Sequence, residues 1–312
     1  MKIVRGTRAT ARRTFKLAAL SICAMLGLAL VSAPALAKKP TKKPKAPKVT
    51  VHTPVTAGST YLALGDSVSF GYEESSVVPA PNYTDASSFI GYPEVLGSEL
   101  HLNVVNAACP GETSSSMIDP TAQSNGCENA PGGGPAYLTS GFPLHVKYTG
   151  SQLAFAVSYL KKHHNVRLVS LMIGANDLLL CQETTADHCA SLTEQAGVIG
   201  TADKNIATVL SAIRNKAHYG GQIVFVNYYS PTPAENSSTA LGNASLDSAT
   251  KPFHVVIADG FGQFAAGEAH SGGNACTAGL LTQLSGGGCG IHPSYAGQGL
   301  LAQSVERAIK LG

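Results

Sequence analysis

Short apolar runs alternate with longer amphipathic segments along most of the chain. Apolar runs of this length are typical of short buried strands, and the amphipathic segments have the spacing of helices with one apolar face. The predicted strands cover residues 61–64, 103–107, 167–173 and 222–227, and the predicted helices cover residues 89–101, 151–164, 190–218, 248–266 and 295–310. Because strand and helix alternate, the pattern predicts an α/β protein: a three-layer α/β/α sandwich with a central parallel sheet.

The first 37 residues follow a different pattern. Six Lys or Arg residues precede an apolar run from residue 17 to about residue 31, and Ala35-Leu36-Ala37 follows that run. This order predicts a signal peptide over residues 1–37 and hence a secreted bacterial protein. The pair Arg12-Arg13 resembles a twin-arginine signal, so the general and the twin-arginine export routes both stay open. An uncleaved anchor is the alternative to a cleaved signal.

Charge is distributed unevenly after the predicted signal. Residues 38–57 are rich in Lys and Pro, and we expect a disordered, extended tail. This tail either separates the domain from the cell surface or makes weak contact with anionic wall polymers or lipid headgroups. Residues 58–312, which we expect to form one domain, carry 10 basic and 19 acidic side chains. Such a domain lacks the basic surface that nucleic acid requires, so we exclude a nucleic-acid partner.

Six cysteines follow the predicted signal, an even number that indicates disulfides in an exported protein. Many pairings are possible, and closeness in sequence favours Cys109 with Cys127, Cys181 with Cys189, and Cys276 with Cys289. A metal site is the alternative interpretation. No C-x-x-C motif and no zinc-type spacing of ligands occurs, so we expect no metal.

One long stretch, residues 109–148, interrupts the alternation of strand and helix. It is rich in Gly, Pro, Ser and Asn and contains one of the expected disulfides. Long ordered loops in compact domains are often functional. We therefore hypothesise that this loop forms a substrate-binding wall beside the sheet.

The first predicted strand ends in the turn Gly65-Asp66-Ser67. The carboxyl ends of parallel strands form the edge of the sheet at which ligands bind, so Ser67 is a candidate nucleophile. Gly, Asp and Ser are also the commonest turn residues, and this triplet alone is more simply explained by a turn.

Three later segments contain the groups that a serine nucleophile needs. Gly111 follows the second strand, Asn176 and Asp177 follow the third, and His292 precedes a proline near the C-terminus. Each also has a plain structural explanation, as a turn glycine, as helix caps, or as a histidine beside a turn.

Together these segments resemble the SGNH or GDSL family of serine esterases and lipases. The motifs occur in the family order, between residue 61 and about residue 301: Gly65-Asp66-Ser67, Gly111, Gly174-x-Asn176-Asp177 and His292-Pro293. The resemblance implies the flavodoxin-like sandwich of that family and hydrolysis of carboxylic esters without a cofactor.

The resemblance also implies a role for each position. Ser67 would attack the ester carbonyl, and His292 would take its proton and later return it to the leaving alcohol. The backbone N–H groups of Ser67 and Gly111 and the side-chain amide of Asn176 would form the oxyanion hole.

One position departs from the family pattern. Many members have Asp three residues before the histidine, where this chain has Cys289. A half-cystine cannot act as a carboxylate, but some secreted members use a main-chain carbonyl at this position. We therefore expect the carbonyl of Cys289 to accept the ring N–H of His292, with the Cys276–Cys289 bridge stiffening the segment. A distant carboxylate such as Asp259 is the alternative.

These features favour a secreted esterase or lipase that acts, as a monomer, on small-molecule or lipid esters with short- to medium-chain acyl groups. Asp66 and Asp177 are interpreted as residues that hold their loops, not as general acids. A carbohydrate acetylesterase, a phospholipase or a thioesterase could use the same site. A noncatalytic wall-binding protein, attached through its Lys/Pro-rich tail, is the alternative outside enzymes. The chain has no tryptophan, which argues weakly against an extended sugar-stacking groove.

Overall fold

The computed structural model of the protein describes residues 53–312. The strands are β1 Thr60–Gly65, β2 Asn103–Asn106, β3 Val166–Met172, β4 Gln222–Val226, β5 Val256–Ala258, β6 Leu281–Gln283 and β7 Cys289–Pro293. The α-helices are α1 Ser67–Phe70, α2 Tyr92–Glu99, α3 Gln152–Lys162, α4 Ala175–Thr184, α5 Leu192–Ser211, α6 Asn236–Thr250, α7 Gly260–Gly267 and α8 Tyr295–Ala308. No helix in this part of the chain combines the length and the apolar character needed to cross a bilayer.

Five strands form one parallel sheet in the order β2-β1-β3-β4-β5. This is the flavodoxin-like order, in which the direction of winding reverses between β1 and β3. Strands β1, β3 and β4 are buried along nearly their whole length, as expected where helices cover both faces. The predicted fold class is confirmed.

Two groups of helices enclose the sheet. Helices α2, α7 and α8 pack together as one layer, and α3, α5 and α6 belong to the other. The core between them contains large side chains that are almost fully buried, among them Tyr61, Leu62, Leu64, Leu168, Leu171 and Phe225. Because these side chains come from β1, β3 and β4, the rigid centre of the molecule lies directly beneath the loops that follow β1 and β3.

The compact domain begins earlier than predicted. The predictions for residues 1–37, and for the tail as far as residue 52, lie outside the described residues. Val55 is 1% exposed, its N–H donates to the carbonyl of Lys310 at 2.9 Å, and its carbonyl accepts from Gly312 N at 3.1 Å. The predicted start of the domain at residue 58 is therefore a few residues late, because this segment pairs with the C-terminus.

The prediction of one helix over residues 248–266 is wrong. The chain leaves α6 through a 3₁₀ turn at Lys251–Phe253, forms β5, and begins α7 at Gly260. Pro252 within the turn and the left-handed His254, with φ 53°, explain the break. Strand β5 has only three residues, too few for a recognisable apolar run. Helices α4 and α6 and the antiparallel β6–β7 hairpin were also not predicted.

The six cysteines of the described chain form three disulfides. These are Cys109–Cys127, Cys181–Cys189 and Cys276–Cys289, the pairing that closeness in sequence favours. Disulfides persist in oxidising compartments, so this set indicates an exported protein.

Candidate active site

Ser67 is the first residue of α1, immediately after β1, at the carboxyl edge of the sheet. The turn into α1 is sharp: Gly65 has φ +145°, and a side chain there would overlap the carbonyl oxygen of Met172 in β3. Asp66 caps α1, because its Oδ1 accepts from the N–H of Val68 at 3.0 Å. The sheet and this cap together hold Ser67 at the rim.

Asp66 is 1% exposed, and both of its carboxylate oxygens accept hydrogen bonds that hold this loop. Its Oδ2 accepts a hydrogen bond of 2.5 Å from the hydroxyl of Tyr228, which follows β4. Burial raises the pKa of Asp66 to about 6, although hydrogen bonds from Tyr228 and Val68 oppose the shift. These contacts fit the interpretation of Asp66 as a residue that holds its loop.

His292 comes from β7 in the hairpin and meets Ser67 at the rim. Its Nε2 lies 3.0 Å from Ser67 Oγ, although the two residues are 225 positions apart in sequence. At this distance the serine hydroxyl can donate to the unprotonated ring nitrogen, which is the arrangement of a nucleophile and its general base.

Glu74, not the carbonyl of Cys289, is the partner of the other ring nitrogen. His292 Nδ1 lies 2.7 Å from Glu74 Oε1, and the same oxygen accepts from the N–H of Ile291 at 3.0 Å. The expectation for Cys289 is therefore wrong. Cys289 lies at the far end of β7, where it pairs with Gln283 of β6 and is bridged to Cys276. Its role is to hold the hairpin.

Hydrogen bonds keep Glu74 ionised. Burial by itself raises the pKa of Glu74, but hydrogen bonds from His292 and from Thr282 Oγ1, at 2.8 Å, together with the attraction of His292, lower it to about 2. A carboxylate at Nδ1 keeps the proton on that nitrogen and leaves Nε2 free to accept from Ser67. Glu74 therefore orients the base.

No motif in the sequence indicates Glu74. It follows Glu73 in a loop and lies 218 positions from His292, so it looks like one of two ordinary acidic loop residues. The alternative carboxylate, Asp259, caps α7 by accepting from Gly262 N at 2.9 Å. Only the fold reveals which carboxylate reaches the histidine.

Within the described residues, three hydrogen-bond donors without partners lie around one cavity. Ser67, Gly111, Asn176 and His292 all line this cavity. Among residues 53–312, neither the backbone N–H of Ser67, nor that of Gly111, nor Nδ2 of Asn176 donates to another group. Asn125 Nδ2 donates to Oδ1 of Asn176 at 3.3 Å, so the amide nitrogen of Asn176 is the end left for a ligand. Convergent donors of this kind suit a developing oxyanion.

Long-range contacts join the loops that carry these donors. Asp177 accepts from the N–H of Ser114 at 2.8 Å and from its hydroxyl at 2.6 Å, so α4 is bound to the segment after Gly111. The Cys109–Cys127 disulfide encloses that segment. Asp177 thus holds its loop, as interpreted from the sequence.

A buried amide connects the nucleophile loop to the Gly111 loop. Gln152 Oε1 accepts from Gly65 N at 2.7 Å, and its Nε2 donates to Gly65 O and to Glu112 Oε2, both at 3.0 Å. Burial, reinforced by repulsion from Glu128, raises the pKa of Glu112 well above its usual range. Sequence reasoning missed Gln152 and Glu112, because neither lies in a motif that specifies such a contact.

The cavity at the site has a volume of about 720 Å³ and two kinds of apolar lining residue. Its lining includes aliphatic side chains, among them Leu178, Leu179, Ile199 and Leu246, and aromatic side chains, among them Tyr72, Tyr83, Tyr137 and Phe142. The Tyr72 ring lies 5.0 Å from that of His292. Tyr137 and Phe142 belong to the 109–148 loop, so the structure places this loop beside Ser67, where a substrate wall was hypothesised.

The fold and the site together define a serine hydrolase of the flavodoxin-like class, with the nucleophile after the first strand. A family model described as "GDSL-like Lipase/Acylhydrolase family" matches residues 63–300. The chain belongs to this family and is a carboxylic ester hydrolase.

Solved structures of three enzymes are among those to which the chain is similar. An α/β hydrolase from the metagenome of Lake Arreo has 15% identity and a TM-score of 0.48, covering 81% of this chain and 96% of its own. An acetylxylan esterase from Geobacillus stearothermophilus has 14% identity and a TM-score of 0.48, and the match covers 83% of this chain and 98% of the esterase. A lipase from a goat rumen metagenome has 15% identity and a TM-score of 0.49, and the match covers 80% of this chain and 97% of the lipase. No curated protein matches the chain.

Proposed function

We propose that the protein is a secreted esterase that hydrolyses short- to medium-chain acyl esters through an acyl-enzyme formed on Ser67. The alignment of Ser67 Oγ, the His292 ring and the Glu74 carboxylate, with contacts of 3.0 and 2.7 Å, carries this proposal. The three disulfides support export.

In the first step, Ser67 Oγ bonds to the ester carbonyl carbon while His292 Nε2 takes its proton. The electron pair of the carbonyl moves to its oxygen, and the resulting oxyanion accepts hydrogen bonds from the N–H groups of Ser67 and Gly111 and from Asn176 Nδ2. The imidazolium that forms is paired with Glu74. Each charge that develops therefore has a fixed partner.

In the second step, the tetrahedral intermediate collapses. The bond between the carbonyl carbon and the alcohol oxygen breaks, and His292 Nε2 gives its proton to that oxygen. Water then attacks the acyl carbon, His292 takes a proton from the water, and the proton returns to Ser67 as the carboxylic acid leaves. The cycle restores the enzyme without a cofactor.

The lining of the cavity supports the proposal that the acyl group of the substrate is apolar. The cavity has a volume of about 720 Å³, and its lining includes the aliphatic side chains of Leu178, Leu179, Ile199 and Leu246. Each methylene group buried there contributes about 0.8 kcal/mol to binding, so turnover at low substrate concentration should rise with chain length until the cavity is filled.

Hydrolysis of p-nitrophenyl esters from acetate to palmitate tests the proposal. We expect the fastest hydrolysis at short to medium chain length, and a loss of at least about a thousandfold in Ser67→Ala. Ser248→Ala, which changes an exposed serine on α6, is the matched control and should keep its activity. Equal rates for the wild type and Ser67→Ala would reject the proposed nucleophile. Acetylated xylan, a phospholipid and an acyl thioester in the same panel separate the alternative substrates.

A further inference from the structure

A second cavity, of about 430 Å³, lies at the amino edge of the sheet, opposite the active site. The end of α3, the start of β3 and the loop before β4 form it. We name its basic side chains the basic corner, defined as Lys161, His163, His164, Arg167 and His218. Among residues 53–312, no Asp or Glu side chain lines this cavity.

The basic corner concentrates charge that is scarce elsewhere in the domain. Residues 58–312 carry only 10 Lys and Arg residues against 19 acidic ones. Five of the 10 lie in two short segments, 161–167 and 214–218, that border the cavity: Lys161, Lys162, Arg167, Arg214 and Lys216. The expectation from the sequence that this domain has no basic surface is therefore wrong at the amino edge of the sheet, where positive charge attracts anions.

A buried arginine adds to this charge from below. Arg214 is 5% exposed, and its guanidinium donates to four backbone carbonyls, those of Tyr219, Gly221, Phe253 and His254, at 2.7 to 3.1 Å. Burial lowers the pKa of Arg214 to about 10, so it stays protonated near neutral pH. In residues 53–312, no carboxylate lies within ion-pair distance of Arg214 or of the basic corner. The carbonyls hold the guanidinium without neutralising it.

The shape of the cavity favours a chain-like ligand over a membrane. Its two large aliphatic side chains, Leu160 and Val166, are each 4% exposed and cannot enter a bilayer. The His163 ring is stacked on Tyr159, with centroids 4.0 Å apart, which holds it in place at the exposed surface. A concave, charged surface without apolar anchors suits a flexible polyanion.

We propose that the basic corner binds the phosphate groups of a linear anionic polymer. Lys and Arg bind phosphate through charge-assisted hydrogen bonds, and repeated phosphates engage several such side chains at once. Because the active site opens at the other edge of the sheet, the bound polymer holds the enzyme without covering Ser67. The inference goes beyond ester hydrolysis and does not rest on it.

Binding of fluorescently labelled long-chain polyphosphate to the full chain, followed by anisotropy over a range of salt concentrations, tests the proposal. The variant carries Lys161→Ala and Arg167→Ala, and the control carries Lys204→Ala and Lys251→Ala, which remove two exposed lysines outside the corner. We expect affinity to fall at least about tenfold at low salt in the variant, with a shallower dependence on salt, and to change little in the control. Equal losses in both proteins, or none in the variant, would overturn the proposal.

Two further arms decide what binds and where. A variant with Gln at all six lysines of residues 38–48 should retain part of the affinity for polyphosphate. Complete loss of binding in this variant, with unchanged binding in the variant that carries Lys161→Ala and Arg167→Ala, would assign binding to residues 38–48 alone and overturn the proposal. Vesicles of phosphatidylglycerol should bind less tightly than polyphosphate, and tighter vesicle binding would overturn the choice of ligand. Circular dichroism melting shows that each variant is folded, independently of any result on ester hydrolysis.

Discussion

The nucleophile and its base are held at the same rim by different kinds of structure. Ser67 follows a central strand of a five-stranded sheet, on a turn fixed by buried contacts of Gly65 and Asp66. His292 lies in a two-stranded hairpin outside that sheet, held by the partly exposed Glu74 and by the Cys276–Cys289 bridge.

This contrast indicates where the site is robust and where it is vulnerable. Close packing around β1 resists local change, because any movement of the turn would break buried contacts. The position of His292 depends on one carboxylate, on one covalent bridge and on the hydrogen bond that the Tyr229 hydroxyl donates to Ile291 O. Changes of charge or redox state should therefore act on the base more than on the nucleophile.

Among the changes that test this difference, Glu74→Gln should have the largest effect on activity. Removing the carboxylate takes away the partner of the imidazolium, and by analogy with triads kcat should fall by about 10²- to 10⁴-fold. Asp259→Asn is the control and should change kcat by less than about twofold, since Asp259 caps α7. Steady-state kinetics with a p-nitrophenyl ester measure both. A Glu74→Gln enzyme within a few-fold of the wild type would contradict the assignment.

Asn176→Ala should have the next largest effect. Loss of one oxyanion donor costs about 2.7 to 4 kcal/mol of transition-state stabilisation, which is about 10²- to 10³-fold in kcat. Asn125→Ala, which frees Oδ1 of Asn176 without removing its amide, should lower kcat by a smaller factor. If Asn125→Ala were the more damaging change, the amide of Asn176 would not be the donor.

Removing the Cys276–Cys289 bridge should affect stability more than chemistry. The bridge closes a loop with a sequence separation of 13, so replacing both cysteines by serine should cost about 3 kcal/mol of unfolding free energy. We expect kcat to fall less than tenfold, since Glu74 still holds the ring of His292. Urea unfolding and kinetics of the same sample separate the two effects. A loss of kcat as large as that of Glu74→Gln would mean that the bridge orients the histidine.

Opposite effects of pH on the free energy of unfolding are expected from the carboxylates of Asp66 and Glu74. The pKa of Asp66 is raised to about 6, so its contribution to stability is present below the unfolded value and lost as pH rises, by about 3 kcal/mol in all. The pKa of Glu74 is lowered to about 2, so its contribution is present above the unfolded value and lost as pH falls.

Unfolding free energies of the wild type, Asp66→Asn and Glu74→Gln between pH 2 and pH 8 test these signs. Relative to the wild type, Asp66→Asn should gain stability as pH rises from about 4 to 6. The deficit in unfolding free energy of Glu74→Gln relative to the wild type should disappear as pH falls from about 4 toward 2. Parallel curves for all three proteins would show that neither carboxylate changes its pKa on folding.

Sequence reasoning succeeded where a local pattern has one structural meaning. The apolar runs of β1, β3 and β4 are long enough to be recognised, and they predicted the sheet. Sequence reasoning failed at β5, because three residues carry too little periodicity to be recognised. It also failed within residues 248–266, where Pro252 ends one element before the next begins. The disulfide pairing followed from closeness in sequence, because short loops bring such cysteines together.

The chain by itself determined the fold class, the family motifs and the candidate pair Ser67 and His292, because strand periodicity and turn chemistry are local properties. Only the tertiary structure decided that Glu74 faces His292, that Gln152 joins the loops of Gly65 and Glu112, and that scattered basic residues meet at the amino edge of the sheet. These contacts join groups that are distant along the chain. Their geometry depends on how the strands are ordered and how the peripheral hairpin packs, which no local pattern specifies.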